Sequence, residues 1–221
     1  EHEVLAQLLD LPPHPDDLFV EVEVLSGALL IDLDMNNCRL ASTNFSEAHL
    51  ARASFVGTEF MKPTSFKKAT FDFGAPFDYS TFAEEVAFDD AKFNGRAGFA
   101  RVKFLDHADF DRVHFSSSFD LESSFFHTGI SCESAKFDKR GRLALNKTQF
   151  GGYAWFEDVE ISAASAETKG ARVRIDVPDD AKRDRIWLLG WSVREPETPD
   201  NGKISNREGI WGYLDSEPLP D

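Results

Sequence analysis

The chain has 221 residues, of which 42% are hydrophobic and 29% charged, the balance of a folded chain and not of a disordered one. With 24 basic against 39 acidic side chains the net charge is −15, which argues against direct binding to nucleic acid phosphates. There is no apolar run long enough for a transmembrane helix and no signal-peptide pattern, so no membrane insertion of this segment is expected. Two cysteines exclude a disulfide scaffold, and as free thiols they point to a cytoplasmic setting.

The chain begins at Glu1 and not at Met, so an upstream part is expected. Residues 4–9 (VLAQLL) read as one or two helical turns, ended by Pro12 and Pro13. Residues 18–25 (LFVEVEVL) alternate and predict a strand. Together residues 1–24 form an expected N-terminal cap. Residues 14–17 (HPDD) resemble the metal-binding start of zinc-dependent N-deacetylases, but the apolar strand that should precede them is missing. Asp32 to Asn37 (DLDMNN) imitate a calcium loop for six residues. The turn glycine is absent, and Thr43 stands where the bidentate glutamate belongs.

A repeat occupies the middle of the chain. There are 21 Phe against 3 Tyr and 4 Trp. Phe60, Phe71, Phe82, Phe93, Phe104, Phe115, Phe126 and Phe137 stand eleven apart. Phe66, Phe77, Phe88, Phe99 and Phe110 lie between them, followed by Leu121, Cys132 and Leu143, so the steps alternate five and six. Upstream, from Leu30 to Phe60, every step is five; after Leu143 the register slips by about two and resumes at Phe150, Phe156 and Ile161. Only Phe19, Phe73, Phe119 and Phe125 stand off this grid.

Two residues before each large side chain lies a small or β-branched one, such as Ala69, Ala75, Ser80, Val86, Ala91 and Ala97. Positions i and i−2 share a face only in extended chain. Each unit is therefore a very short strand with one small and one large residue pointing inward, and the polar remainder turns a corner. An eleven-residue helical repeat would need apolar spacings of three and four, which are missing. A short strand cannot bury its Phe alone, so successive coils must stack into one continuous core. Units such as A-S-F, A-T-F, A-K-F, V-K-F and V-H-F resemble the central A-x-L/F of pentapeptide-repeat proteins. The alternation of five and six is similar to a chiefly actinobacterial subgroup. The resemblance spans roughly residues 25–195 and implies an all-β, right-handed, four-sided (quadrilateral) β-helix solenoid. Its repeat body is expected over residues 25–161, in about six coils. Phe119–Leu121, Ile130–Cys132 and the slip near residues 141–148 are expected to distort the late coils.

The remainder, residues 162–221, is expected to be a C-terminal cap. Residues 185–193 (RIWLLGWSV) and 209–214 (GIWGYL) read as a hairpin-like aromatic pair, followed by a flexible tail. Trp211 and Tyr213 are candidate partner-binding residues there, against the alternative of a lid over the last coil. With 22 residues per coil, Asp89, Asp111 and Glu133 form an acidic column, Asp78 and Glu122 flank Ala100 in another, and Lys92, His114 and Lys136 form a cationic one. The five carboxylates are candidate partner-binding residues, against the alternative of a solvated face. His107, Asp109, Asp111 and His114 point outward from a convex rod, so no catalytic or metal site is expected there, and no phosphate loop, dinucleotide fingerprint or nucleophile elbow occurs. Cys38 and Cys132 should face inward, about four coils apart and too distant to bridge.

Two functions remain: a non-enzymatic scaffold or protein–protein interaction module, part of a larger protein, with no cofactor; or, by the resemblance, an acidic DNA mimic that binds a DNA-handling protein such as a type II topoisomerase.

Overall fold

A computed structural model describes residues 19–22, 25–161, 166–178, 185–188, 190–198, 202–204 and 207–216. Strands of two to six residues follow one another, and no α-helix occurs among the described residues. The expected helix at 4–9, the HPDD segment and the tail after Ser216 lie outside them.

The strands stack in parallel into a β-solenoid of about six turns. One ladder runs Glu59, Thr81, Lys103, Phe125, Gln149, Arg172. A second runs Thr64, Val86, Ala108, Ile130, Ala154, Arg185, a third Thr70, Lys92, His114, Lys136, and a fourth Ala75, Ala97, Phe119, Leu143, Ala166. The six-residue strand Arg39–Asn44 joins the first two, because Leu40 pairs with Phe60 while Thr43 pairs with Thr64. The register follows the step lengths read along the chain. Leu30 pairs with Leu50, twenty residues on, where all steps are five; Phe82 pairs with Phe104, twenty-two on, where five and six alternate.

The corners explain why two step lengths coexist. In a five-residue step, as from Phe77 to Phe82, the Ser80 N–H donates to the Phe77 carbonyl (3.1 Å) and Tyr79 takes φ 64°. Lys68, Asp90, Arg101, Arg112, Ser123 and Ser134 repeat that left-handed corner every eleven residues. This is a tight β-turn with positive φ at its third position, which glycine fills at least cost. The six-residue corners spend the extra residue on a wider bend, and no non-glycine residue in them has positive φ between Lys68 and Ser134.

The phenylalanines are the core, as their spacing requires. Phe45, Phe66, Phe88 and Phe110 stack with ring centroids 4.8–4.9 Å apart. Phe60, Phe82, Phe104, Phe126 and Phe150 stack at 4.4–5.5 Å. Both series follow the spacing of adjacent strands. Across the interior the rings meet edge to face, as Phe88 and Phe99 do at 5.4 Å and 90°, the arrangement their quadrupoles favour.

Three expectations need correction. Phe119 and Ile130 do not distort the coils: each points inward, fully buried, in the small-residue column, and the 22-residue register holds through Lys136. The reason is volume exchange. Where Ala108–Phe110 becomes Ile130–Cys132, bulk moves from one inward position to the other, which a core tolerates better than net gain or loss. Where Ala97–Phe99 becomes Phe119–Leu121, the smaller Leu121 offsets part of the added ring, which stacks on Phe115 at 4.4 Å. Second, the two-residue insertion precedes Leu143: Ser118 pairs with Arg142, 24 residues on, so Leu143 continues the small column and Leu145 takes the large position. The extra residues form the corner at Asp138–Gly141, closed by Gly141 N–H to the Asp138 carbonyl (2.7 Å). Third, the boundary drawn at residue 161 falls inside the solenoid, because Leu143 pairs with Ala166, Phe150 with Val173 and Ala154 with Arg185.

Phe88→Ala should lower stability by about 3–5 kcal/mol in urea unfolding, the cost of an uncollapsed cavity; a loss below about 1 kcal/mol would place the ring outside a packed core. Ser134→Gly should instead raise stability, by about 0.5–1 kcal/mol, by relieving a left-handed side chain at φ 55°; an unchanged or lower midpoint would refute the strain.

Candidate functional site

With the interior filled by rings, chemistry is confined to the outer faces. The stacking of 22-residue turns brings the predicted columns together: Lys92 pairs with His114 and His114 with Lys136. The acidic columns assemble too, but most of their carboxylates are engaged by the chain itself. Asp78 accepts the Ala100 N–H of the next turn (3.1 Å) and lies 3.6 Å from Arg96, its side chain 17% exposed. Asp89, 14% exposed, lies 3.2 Å from the Lys67 ammonium, an ion pair without hydrogen-bond alignment, and accepts from Arg112 at 3.2 Å. Asp111 accepts the Glu133 N–H (2.8 Å) and the Ser131 hydroxyl. Glu122 stands 3.8 Å from Lys147, and Glu122 and Glu133 alone of the five are open to solvent.

The pattern is general. A corner carboxylate or amide oxygen takes an N–H from the turn above: Asn36 from Val56 (2.7 Å) and Asn146 from Lys169 (3.0 Å), as Asp78 and Asp111 do. Cations then bridge turns, Arg39 to Glu59 at 2.9 Å, Lys62 to Glu84 at 3.0 Å and Lys136 to Glu160 at 2.8 Å. The acidic stripes are thus laced along the rod axis, each exposed pair contributing less than about 1 kcal/mol.

His107, Asp109, Asp111 and His114 do not converge. His107 lies against the Tyr153 ring at 5.3 Å, and His114 bonds Asp138 at 2.9 Å. That histidine, with Ser116, holds the Asp138 carboxyl below its ordinary range. Among the described residues no group of three or more His, Cys, Asp or Glu is placed to hold a metal ion. Cys38 and Cys132 are free thiols. Burial, reinforced by Asp111 and Asp109, pushes the Cys132 thiol well up and leaves it unreactive.

The C-terminal strands Trp191–Arg194 and Trp211–Ser216 pair antiparallel, and the latter pairs with Arg172–Arg174, extending the first ladder. Trp211 is 2% exposed and donates its indole N–H to the Glu208 carbonyl (3.1 Å), so it is not offered to a partner. Tyr213 lies between the guanidinium groups of Arg172 and Arg194, 3.6 and 4.7 Å from its ring centre. The same segment covers the outward ring of Phe125, over which Arg207 sits at 3.8 Å. Phe125 stands off the inward grid because its place is on the outer face.

Two features were missed in the sequence. Phe73 is 67% exposed, with the Arg52 guanidinium 5.7 Å from its ring centre. Beside it Gly74, Pro76 and Gly98 leave an open groove of about 390 Å³ that Arg96 also lines. Its arginines are neutralised: Arg52 by Asp32 (2.8 Å) and Arg96 by Asp78 and Asp120. An isolated Phe off the grid was the only available signal. The second is Asp109, whose carboxyl is raised from 3.8 to about 6. Burial is the main cause, and the charges of Asp111 and Asp89 add to it, against the Asp111 N–H, which pulls the other way. Asp111 is two residues along the chain, but Asp89 reaches Asp109 only through the stacking of turns.

A raised folded-state pKa means that the native protein holds this proton more tightly than the unfolded chain does. Stability should therefore rise as pH falls from above 6 toward 4, and the benefit is lost as pH rises through about 6. Asp109→Asn should flatten urea midpoints across that window and raise them at pH 8; an unchanged profile would remove Asp109 as the titrating group.

A family profile described as pentapeptide repeats (9 copies) matches residues 55–103, and another of the same description (8 copies) matches residues 24–60. No curated protein matches the chain. Among solved structures the chain is similar to a trypsin-treated variant of QnrB1, a plasmid-mediated fluoroquinolone resistance protein, at 11% identity and a TM-score of 0.24, over 67% of this chain and 83% of that one. It is also similar to full-length QnrB1, at 12% identity and a TM-score of 0.23, over 66% and 91%. On these two matches, residues 24–103 of the chain carry pentapeptide repeats.

Proposed function

We propose that the chain is a non-enzymatic interaction module: a right-handed, four-sided rod, capped at both ends by its own chain, that presents its outer faces to a protein partner in the cytoplasm. The observation that carries this reading is the filled interior. Rings stacked 4.4–5.5 Å apart take the place where a solenoid could otherwise hold a ligand, and recognition is left to the outside. The exposed Glu122 and Glu133, and the Phe73 groove, are contacts that support this reading. Among the described residues no helix is long and apolar enough to cross a membrane.

The second reading, an anionic rod that replaces a DNA duplex on a type II topoisomerase, draws on the net charge of −15. The pairing of Asp78 and Asp89 with Arg96, Lys67 and Arg112 weighs against it, because a duplex mimic needs uncompensated charge along its length.

The test is to immobilise the full chain and a Glu122→Lys/Glu133→Lys variant with an unchanged circular dichroism spectrum. A partner retained by the wild type should be lost, or held at least about tenfold more weakly, by the variant. Failure of the wild type to retain any protein would overturn the interaction reading. Binding to a type II topoisomerase that collapses between low and high salt would select the mimic instead.

A further inference from the structure

Outside the features above, the wide corner after Phe93 holds one chemically labile pair, Asn94 followed by Gly95. We propose that Asn94–Gly95 is a modification site of the folded protein, at which the asparagine converts spontaneously to aspartate and isoaspartate. The Gly95 main-chain nitrogen attacks the Asn94 side-chain carbonyl carbon, and the side-chain amide leaves as ammonia. The five-membered imide that results is opened by water at either carbonyl, giving aspartate or, with one more carbon in the main chain, isoaspartate.

Three observations meet at this corner. Asn94 is exposed, on the outside of a convex rod. The main-chain N–H of Asn94 is held by the Phe71 carbonyl (2.9 Å), whereas the attacking Gly95 nitrogen makes no backbone hydrogen bond among the described residues. The reacting group is also lightly held, since the Asn94 side-chain amide donates only a long 3.4 Å bond to Asp72. The fold itself imposes the glycine: a Cβ at residue 95 would lie 2.1 Å from the Phe73 carbonyl oxygen. Stacking of the turns therefore demands at 95 the residue that least obstructs imide closure.

The product opposes the structure that creates it. An aspartate at 94 sets a carboxylate against Asp72, in place of the amide that donated to it. Isoaspartate adds a main-chain atom just before Arg96, whose pairing with Gly74 requires the 22-residue register. Conversion is thus an irreversible loosening of the middle of the rod.

The experiment follows loss of the Asn94 amide by peptide mapping of the intact chain held folded at pH 8 and 37 °C. The same chain in urea, and an Asn94→Gln variant, serve for comparison, with isoaspartate scored by methyltransferase labelling. Reaction of the folded protein within about a hundredfold of the denatured chain is expected, because only the corner need open. Slower reaction than that would overturn the proposal, since chemistry confined to globally unfolded molecules is suppressed by about a thousandfold or more. Labelling of the Asn94→Gln variant equal to that of the wild type would also overturn it, by placing the reaction elsewhere.

Discussion

Every coil of this protein depends on the match between two lengths: the spacing of hydrogen-bonded strands, about 4.8 Å, and the distance at which flat aromatic rings stack. Phe66 and Phe88 lie 4.8 Å apart and within 3° of parallel. A turn of chain therefore satisfies its backbone and its side chains with the same translation. This is also why phenylalanine dominates at the expense of tyrosine and tryptophan. A hydroxyl or an indole N–H repeated in every turn at the centre of the rod would need a partner in every turn, and none is available inside a column of rings. Several hydroxyls in the small column are satisfied by the backbone, as Thr58 is by the Met35 carbonyl and Thr148 by that of Leu121, each at 2.7 Å, while the buried Ser80 hydroxyl has no hydrogen-bond partner among the described residues.

The outer surface obeys the same translation. Whatever stands at a corner is repeated 4.8 Å away, so any run of like charges meets itself. The chain answers with alternation along the axis: Arg112 bonds Asp90 at 3.1 Å one turn away and reaches Asp89 beside it, and Arg96 spans Asp78 below and Asp120 above. Corner carboxylates also replace a missing acceptor, since a left-handed turn leaves an N–H of the next coil without a strand partner. Much of the acidity that resembles a binding stripe is therefore spent on holding coil to coil. Asp109 is the exception, a carboxyl half-buried beside two others with no ion pair of its own among the described residues.

Function follows from this division. A core filled by rings and a surface largely paired with itself underlie the proposed reading, in which recognition falls on discrete points such as the glutamates at 122 and 133 and the groove beside Phe73. The C-terminal strands extend the first ladder by antiparallel pairing and bury Trp211.

The periodicity was legible in the chain because a solenoid makes long-range contacts at a constant sequence offset; the five and six spacing alone predicts which residues face inward and which stack. The stacking of Lys92 on His114 was readable for the same reason. The exceptions were not, because they depend on volumes and neighbours that a grid does not encode. That Phe119 fits inward rather than breaking the coil is decided by its neighbours in space, the rings of Phe115 and Phe110 at 4.4 and 4.8 Å. That the insertion belongs before Leu143 is decided by which register pairs Ser118 with Arg142. Whether an acidic column is an offered surface or an internal brace is a question of which cation lies one turn away, at distances of about 3 Å that only the closed coil sets. Sequence determined the repeat, the core and the columns, since these are properties of spacing. Tertiary structure decided which side chains remain free, since a charge is free only when its neighbours in space, many of them 22 residues distant, leave it so.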